Sequence, residues 1–170
     1  MNAVTKWVNK IITKILIILM ATIVLDVSWQ VFTRFILKNP SPYTEELAGF
    51  LLIWIGVLGA SYALHTKAHL GIDVLTYKLT GTKKQIVEIL IYAAVICFAL
   101  FVMVIGGIHL VKLTLTLNQI SPALNIKMGY VYIAVPFSGL LMIFYSIGFI
   151  VNAIQNRSEQ APDHQISALD

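Results

Sequence analysis

The sequence predicts an all-α integral membrane protein with four transmembrane helices and a short amphipathic helix at the membrane surface. Of its 170 residues, 58% are hydrophobic and only 12% are charged, whereas soluble proteins carry about 25% charged residues. The mean hydropathy is +0.84, and four apolar segments each approach the roughly 20 residues that a spanning helix needs. These segments leave no room for a soluble catalytic domain of about 100 residues, so we do not expect an enzyme.

The four spans are expected to form one membrane domain at residues 1–154. Because an open strand would leave backbone groups unpaired in lipid, we predict helices at residues 11–37, 47–64, 86–113 and 128–154. Lysines precede the first apolar run, as in a signal peptide, but no small-residue cleavage site follows, so this run is predicted to stay as a span. Residues 155–170 are polar and aperiodic, which predicts a disordered cytoplasmic tail.

The positions of the basic residues predict that both termini are cytoplasmic. With the N-terminus inside, the cytoplasmic side holds eight of the 12 basic residues: Lys6, Lys10, Lys14, Lys67, Lys78, Lys83, Lys84 and Arg157. The other side holds Arg34, Lys38, Lys112 and Lys127. This bias follows the positive-inside rule. Basic residues beside span ends also indicate contact with membrane lipids, so the net charge of +4 does not point to nucleic acid.

The inner loop, residues 65–85, is predicted to contain the amphipathic interfacial helix. Its apolar residues recur at helical spacing, and His69 and Asp73 face water. These two residues are candidates for a cytoplasmic interface. A metal site that also includes His65 is the alternative, which surface hydrogen bonding outweighs. No cofactor is expected, because His65 and His109 lie at opposite membrane surfaces and no haem could bridge them.

Asp26 has the highest free-energy cost of membrane insertion of any side chain in the sequence, because it falls near the middle of the first span. Gln30 and Arg34 follow at i+4 and i+8, which places all three on one helical stripe. One interpretation is a proton or cation site. The other, which we favour, is a buried polar contact within the bundle or with a partner subunit, because proton-coupled carriers generally show a second intramembrane acid.

The second span carries small residues and begins with two acids. Gly49, Gly56 and Ala60 are spaced so that another helix could approach closely. Glu45 and Glu46 follow Ser41 as the predicted N-cap and complement the helix dipole by about 0.3–1 kcal/mol each. The same pair is also a candidate acidic surface for docking a partner. In the fourth span, Pro136 predicts a kink.

Several short motifs occur in a characteristic order along the chain: Arg34 at the end of the first span, Glu45-Glu46, Leu58-Gly59-Ala60 and His69-Leu70-Gly71-Ile72-Asp73. In this order, and with four spans, the chain resembles the small membrane subunit of tripartite ATP-independent periplasmic (TRAP) transporters, the DctQ-like family. The resemblance extends to about residue 154. One departure is Tyr43, where the family often has a tryptophan.

The resemblance implies a subunit of a bacterial inner-membrane transporter. In that family a large multi-span permease subunit carries the sodium and substrate sites, and a periplasmic substrate-binding protein delivers the substrate. Uptake is driven by an ion gradient, usually of sodium. Substrates are mostly organic acids such as C4-dicarboxylates or sialic acid. Within the family, the chain resembles the sialic acid branch.

We therefore expect a scaffold that anchors the permease. Candidate packing contacts are Asp26, Gln30, Arg34, Gly49, Gly56 and Ala60. Candidate contacts with the binding protein lie in the outward segments 38–46 and 114–127, and they are Glu45, Glu46, Asn118 and Lys127. The main alternative is an autonomous small four-helix proton-coupled carrier that uses Asp26, and a cytochrome subunit is a second.

Overall fold

The computed structural model describes residues 3–39, 41–66 and 82–159, and this part of the chain is helical. The helices are α1 (Ala3–Phe35), α2 (Pro42–His65), α3 (Thr82–Phe98), a π-helical segment (Ala99–Gly106), α4 (Gly107–Thr116), α5 (Met128–Tyr132) and α6 (Ala134–Glu159). Four stretches are long and apolar enough to cross a membrane: Thr5–Phe35, Pro42–His65, Ile86–Thr116 and Met128–Ala153. The predicted all-α fold with four spans is confirmed. The predicted interfacial helix, with His69 and Asp73, lies outside the described residues.

Helix α1 is one continuous helix that begins at Ala3, ahead of the predicted start at residue 11. No Gly or Pro interrupts it, so the lysine-bearing first turns and the apolar run share one axis. At 1.5 Å per residue its length is about 50 Å, against a hydrocarbon core of about 30 Å. It ends before Lys38, which has a positive φ of 52°.

The third span is a single rod of residues 82–116, formed by α3, the π-helical segment and α4, which we call the third rod. Its π-helical part approaches α6 closely at Gly139. A Cβ atom on Gly139 would lie 2.8 Å from the Met103 Cβ and 3.2 Å from the Ala99 carbonyl oxygen. Glycine is therefore needed at this position for the two backbones to meet.

The fourth span is interrupted at Ile133, where α5 ends and α6 begins. The break lies one turn before Pro136, which has no N–H to donate, as the sequence leads one to expect. The Phe137 N–H donates to the Ile133 carbonyl at 3.3 Å across it. At the other end α6 continues to Glu159, five residues into the segment 155–170 for which a disordered tail is predicted. No Gly or Pro follows Gly148 before that point, and nothing stops the helix there; residues 160–170 lie outside the described part.

The described helices pack side by side in the order α1, α2, α6 and third rod. Helix α6 lies between α2 and the third rod, whereas the backbone of α1 approaches only that of α2. The buried core is formed mainly where α6 meets its neighbours, by Leu64, Tyr92, Ala99, Met103 and Met142. Helix α1 is therefore an edge helix, and α6 is the centre of the bundle.

Candidate functional site

Asp26 lies on the side of α1 that faces α2. That side is marked by Ile12 and Thr33, which are 2% and 5% exposed, and Gln30 belongs to it as well. The Thr33 hydroxyl donates to the Gln30 carbonyl at 3.0 Å. Arg34 lies on the exposed side of the helix. The structure thus brings Asp26 and Gln30 to the seam between α1 and α2, and it leaves Arg34 outside that seam.

The Asp26 carboxylate is not satisfied by the described part of the chain. Its Oδ2 atom is buried and has no hydrogen-bond partner there. A charged side chain near the middle of a membrane helix costs about 2.5–3.5 kcal/mol on insertion scales. Hydrocarbon offers no donor, so this carboxylate needs either a proton or a donor from another molecule.

The small residues of α2 do not bring helices together within the described structure. Gly49 and Gly56 are exposed, and a Cβ atom on either would meet no atom within 4 Å. Ala60, in contrast, packs against the chain's own core. Gly49 and Gly56 therefore leave open space on α2, into which another helix could fit.

The glycines that permit close packing between the third rod and α6 are Gly107 and Gly139, which the sequence analysis did not single out. A Cβ atom on Gly107 would lie 2.9 Å from the Cδ of Pro136. Both glycines lie where the third rod meets α6. Their signal in the sequence was a glycine in the middle of each of two apolar runs, but only the packing of the runs shows that the two face one another.

Glu45 and Glu46 have different environments although they are adjacent. The Glu46 Oε2 atom accepts hydrogen bonds from the backbone N–H groups of Ala123 at 3.0 Å and Leu124 at 2.7 Å. Glu45 is exposed on the first turn of α2. Glu46 therefore fastens α2 to the chain 77 and 78 residues further on, and Glu45 is the one available to a partner.

The start of α2 is fixed by Pro42 rather than by a side-chain cap. Ser41 occupies the predicted N-cap position, but its side chain makes no capping hydrogen bond. Instead the Thr44 hydroxyl donates to the Ser41 carbonyl at 2.9 Å. Proline at the first helical position has the backbone angle of a helix and lacks a donor that would otherwise be unpaired.

Residues 120–127 form a tight hairpin above Glu46, which we call the 120–127 hairpin. The Ser121 N–H donates to the Ile126 carbonyl at 2.9 Å, and the Asn125 N–H donates to the Ser121 carbonyl at 3.1 Å. Asn118 and Asn125 have positive φ angles of 47° and 52°, which asparagine tolerates better than most residues. Asn118 and Lys127 are exposed at the base of the hairpin.

Two open depressions flank Tyr43 at this end of the bundle. One has a volume of about 430 Å³ and is lined by Pro42, Tyr43, Glu45, Glu46, Pro122, Ala123 and Asn125. The other has a volume of about 550 Å³ and is lined by Thr33, Leu37, Asn39, Ser41, Pro42 and Tyr43. The predicted contact residues Glu45 and Glu46 thus lie beside the 120–127 hairpin and share a surface with it.

The opposite end of the bundle is joined by a network centred on Asn9. The Tyr145 hydroxyl donates to the Asn9 Oδ1 atom at 2.7 Å, and the Asn9 amide donates to the His65 Nε2 atom. The His65 and Tyr145 rings lie 4.8 Å apart. Helices α1, α2 and α6 therefore meet at one polar contact. Sequence reasoning missed Asn9, whose signal was a lone amide between Lys6 and Lys10.

An aromatic contact extends this network to the third rod. The rings of Tyr92 and Phe149 stack with their centroids 5.0 Å apart, and Phe149 lies 6.2 Å from the His65 ring. All four spans are thereby connected at this end. Among the described residues, no group of three or more His, Cys, Asp or Glu side chains is close enough to hold a metal ion.

Comparison with known proteins identifies the family. Residues 23–156 match the model of the DctQ component of tripartite ATP-independent periplasmic transporters. The chain is 31% identical over 135 residues to the C4-dicarboxylate TRAP transporter small permease protein DctQ of Rhodobacter capsulatus. That match covers 75% of this chain and 55% of the relative, so the chain spans about half of that protein's length.

Two further relatives differ in size. The sialic acid TRAP transporter small permease protein SiaQ of Vibrio cholerae is 26% identical over 150 residues, which cover 88% of this chain and 85% of the relative. The sialic acid TRAP transporter permease protein SiaT of Haemophilus influenzae is 28% identical over 123 residues, which cover 68% of this chain but only 18% of the relative. With its four apolar helices and the family match over most of its length, the chain belongs to the DctQ component family of TRAP transporters and is a multi-pass protein of the inner membrane.

Proposed function

We propose that this chain is the small permease subunit of a TRAP transporter, and that it scaffolds and anchors a large multi-span permease subunit. In this role it supports sodium-driven uptake of an organic acid that a periplasmic binding protein delivers, with sialic acid as one candidate. The observation that carries the proposal is the family match over residues 23–156. The relatives named for C4-dicarboxylate and for sialic acid support the substrate class.

The match to SiaT supports a large permease as the partner. A segment similar to this chain makes up only 18% of that permease protein. A small-subunit segment within a longer permease chain is what two physically associated subunits would give if they were joined. We propose that the present chain makes the corresponding association between separate polypeptides.

The unused surfaces of α1 and α2 support the same role. Gly49 and Gly56 leave open space on α2, and Asp26 has a buried oxygen atom without a partner. Small residues and polar groups are the features that drive helix association in lipid. We propose that these residues and Gln30 contact the permease, while Ala60 serves the core of the chain itself.

We further propose that both termini are cytoplasmic, as the positive-inside bias predicts. The 120–127 hairpin and the first turn of α2 then face the periplasm. Glu45, Asn118 and Lys127 are exposed there and form our proposed contact with the binding protein, and Glu46 holds the hairpin that presents them. His69 and Asp73 would face the cytoplasm.

Reconstitution into sealed vesicles tests the proposal. The chain alone, the large permease alone and the two together are each supplied with the binding protein, the organic acid and a sodium gradient. We expect uptake from the complex and none from the chain alone. Uptake that is the same with and without this chain would refute the scaffolding role.

The autonomous carrier is the second candidate, and the unpaired carboxylate oxygen of Asp26 is the observation that favours it. A carrier of that type would move solute in vesicles that contain this chain alone and are given a proton gradient. It would lose the activity when Asp26 is replaced by Asn. Transport by the chain without a companion subunit would therefore replace our proposal with this one.

A further inference from the structure

We propose that Asp26 receives a salt bridge from a lysine or arginine on a membrane helix of the large permease, at the open side of the seam between α1 and α2. The inference rests on the proposed function. It adds the chemistry of the contact: a cation in the partner, opposite one named carboxylate in this chain.

Asp26 lies well inside the membrane. The charged residues that bracket the apolar part of α1 are Lys14 and Arg34. At 1.5 Å per residue, Asp26 is about 18 Å along the axis from Lys14 and about 12 Å from Arg34. Both distances exceed the 4 Å or so over which opposite charges pair in proteins. No cation of α1 can therefore neutralise Asp26.

No other helix of the described chain supplies a cation. Within the described residues, α2 is the only helix whose backbone α1 approaches, and Pro42–His65 contains no Lys or Arg. Helix α6 and the third rod pack on the far side of α2. A cation for Asp26 must accordingly come from outside the described residues.

Asp26 is accessible from one side of the seam. Oδ2 is buried in the seam, but the residue as a whole is only partly buried. Its neighbours Leu25 and Trp29 are 72% and 55% exposed. Exposed apolar side chains alone would be satisfied by lipid, whereas a carboxylate would not. Asp26 therefore distinguishes this surface of α1 from an ordinary lipid-facing surface.

A cation fits this position better than a neutral donor. In a low-dielectric surrounding, a buried charge is tolerated when an opposite charge and hydrogen bonds accompany it. A Ser, Asn or Gln side chain would donate a hydrogen bond but leave the negative charge in place. Lysine and arginine supply both, and as long side chains they reach a seam from a neighbouring helix.

Copurification of the permease with the tagged small subunit from membranes that contain both chains is the first test. Asp26→Asn keeps the shape and removes the charge, and we expect it to reduce the permease recovered by about tenfold or more. Thr22→Val is the matched control, because Thr22 is an exposed residue one turn earlier on α1 whose hydroxyl donates to its own helix at Ile18. We expect wild-type recovery from that variant.

Charge reversal identifies the partner. Asp26→Lys should abolish copurification, and changing one intramembrane Lys or Arg of the permease to Asp should restore it. Failure of every such reversal to restore recovery overturns the proposal, as does normal recovery with Asp26→Asn. If the wild-type chain itself recovers no permease, the proposed function fails instead, so the two failures are distinguishable.

Infrared spectroscopy gives a reading that does not depend on assembly yield. We expect the carbonyl band of a protonated carboxyl group in the isolated small subunit, absent from Asp26→Asn, and its loss in the wild-type complex, because the cation keeps the group ionised. A band that persists in the complex would mean a neutral acid that donates a hydrogen bond, and it would overturn the salt bridge.

Discussion

Helices α1 and α6 are both apolar enough to span a membrane, yet they differ in how much of their surface packs against the rest of the chain. In the fourth span, most of which is α6, 28% of the most apolar stretch is buried inside the chain, whereas in α1 the buried share is 6%. The buried Ser138 of α6 donates to the Val57 carbonyl of α2 at 2.6 Å, so its polar group is satisfied internally. Among the described residues, the buried Asp26 Oδ2 of α1 has no such partner; the buried Ser146 Oγ of α6 has none either, but only Asp26 is an ionisable group. The central helix thus buries more of its surface within this chain, and the edge helix leaves a buried carboxylate oxygen without a partner among the described residues.

The largest effect is expected at the centre. In Gly139→Ala the new methyl group would lie 2.8 Å from the Met103 Cβ and 3.0 Å from a Val104 methyl carbon, so α6 and the third rod must separate. We expect a loss of about 1–3 kcal/mol of stability, as for overpacked cores, measured by unfolding in detergent micelles. Gly148→Ala is the control in the same helix, because a Cβ there meets nothing within 4 Å. Equal stability of the two variants would contradict the close packing of α6.

The next effect concerns the polar link from Tyr145 of α6 to Asn9 of α1. Tyr145→Phe removes the hydroxyl that donates to Asn9, and we expect a loss of about 0.5–1.5 kcal/mol. A disulfide trap between cysteines placed in the first turns of α1 and at the matching end of α6 should also form less efficiently. Tyr130→Phe, at an exposed position, should change neither. If Tyr145→Phe behaves like Tyr130→Phe, the hydrogen bond from Tyr145 to Asn9 does not anchor α1.

A smaller effect is expected from the serines. Ser138→Ala removes a hydrogen bond between α6 and α2, and polar contacts between membrane helices contribute about 0.6 kcal/mol on average. Ser28→Ala on α1 removes only a bond within one helix, from the Ser28 hydroxyl to the Val24 carbonyl. We expect its stability to match the wild type. Should Ser28→Ala be the more destabilising variant, the contrast between centre and edge would be wrong.

The most local effect is expected at the end of the bundle. Glu46→Gln removes the negative charge from the group that accepts hydrogen bonds from the Ala123 and Leu124 amides. Both hydrogen bonds should weaken, because charge-assisted hydrogen bonds are stronger than neutral ones. Hydrogen exchange at these two amides should become faster, with little change in global stability. Glu45→Gln should leave their exchange unaltered. Faster exchange in both variants would mean that the two acids act together rather than separately.

The sequence was sufficient for the parts of the fold that lipid itself dictates. Each long apolar run must be a helix, because its backbone has no other way to pair in hydrocarbon. The position of a helix in the bundle does not follow from such a rule. Gly49 and Gly139 are both glycines within apolar runs, but only the second has another helix against it. That difference depends on which spans become neighbours, and the pattern of one span does not contain it.

At the candidate site, too, the sequence does not show which of two adjacent residues of the same type makes a contact. Glu45 and Glu46 are successive on a helix, so their side chains point in directions about 100° apart. One direction leads to the 120–127 hairpin and the other to the surrounding medium. The hairpin is 77 residues further along the chain from Glu46, and its position could not be inferred from the acidic pair. Asp26 was recognised in advance because a charge within a span is costly wherever the helix lies.

The length of α1 determines the height at which the bundle sits in the bilayer. Between Lys14 and Arg34 there are 19 residues, all uncharged except Asp26. They span about 29 Å and so match a hydrocarbon thickness of about 30 Å. We expect the first eleven residues of the helix to continue into the headgroup layer, where the exposed Lys6 and Lys10 would meet anionic lipid. With this placement we expect Asn9 and its partners His65 and Tyr145 at the membrane interface, the layer in which tyrosine is enriched. The polar contact that joins the helices would then also help to set the depth of the protein in the bilayer.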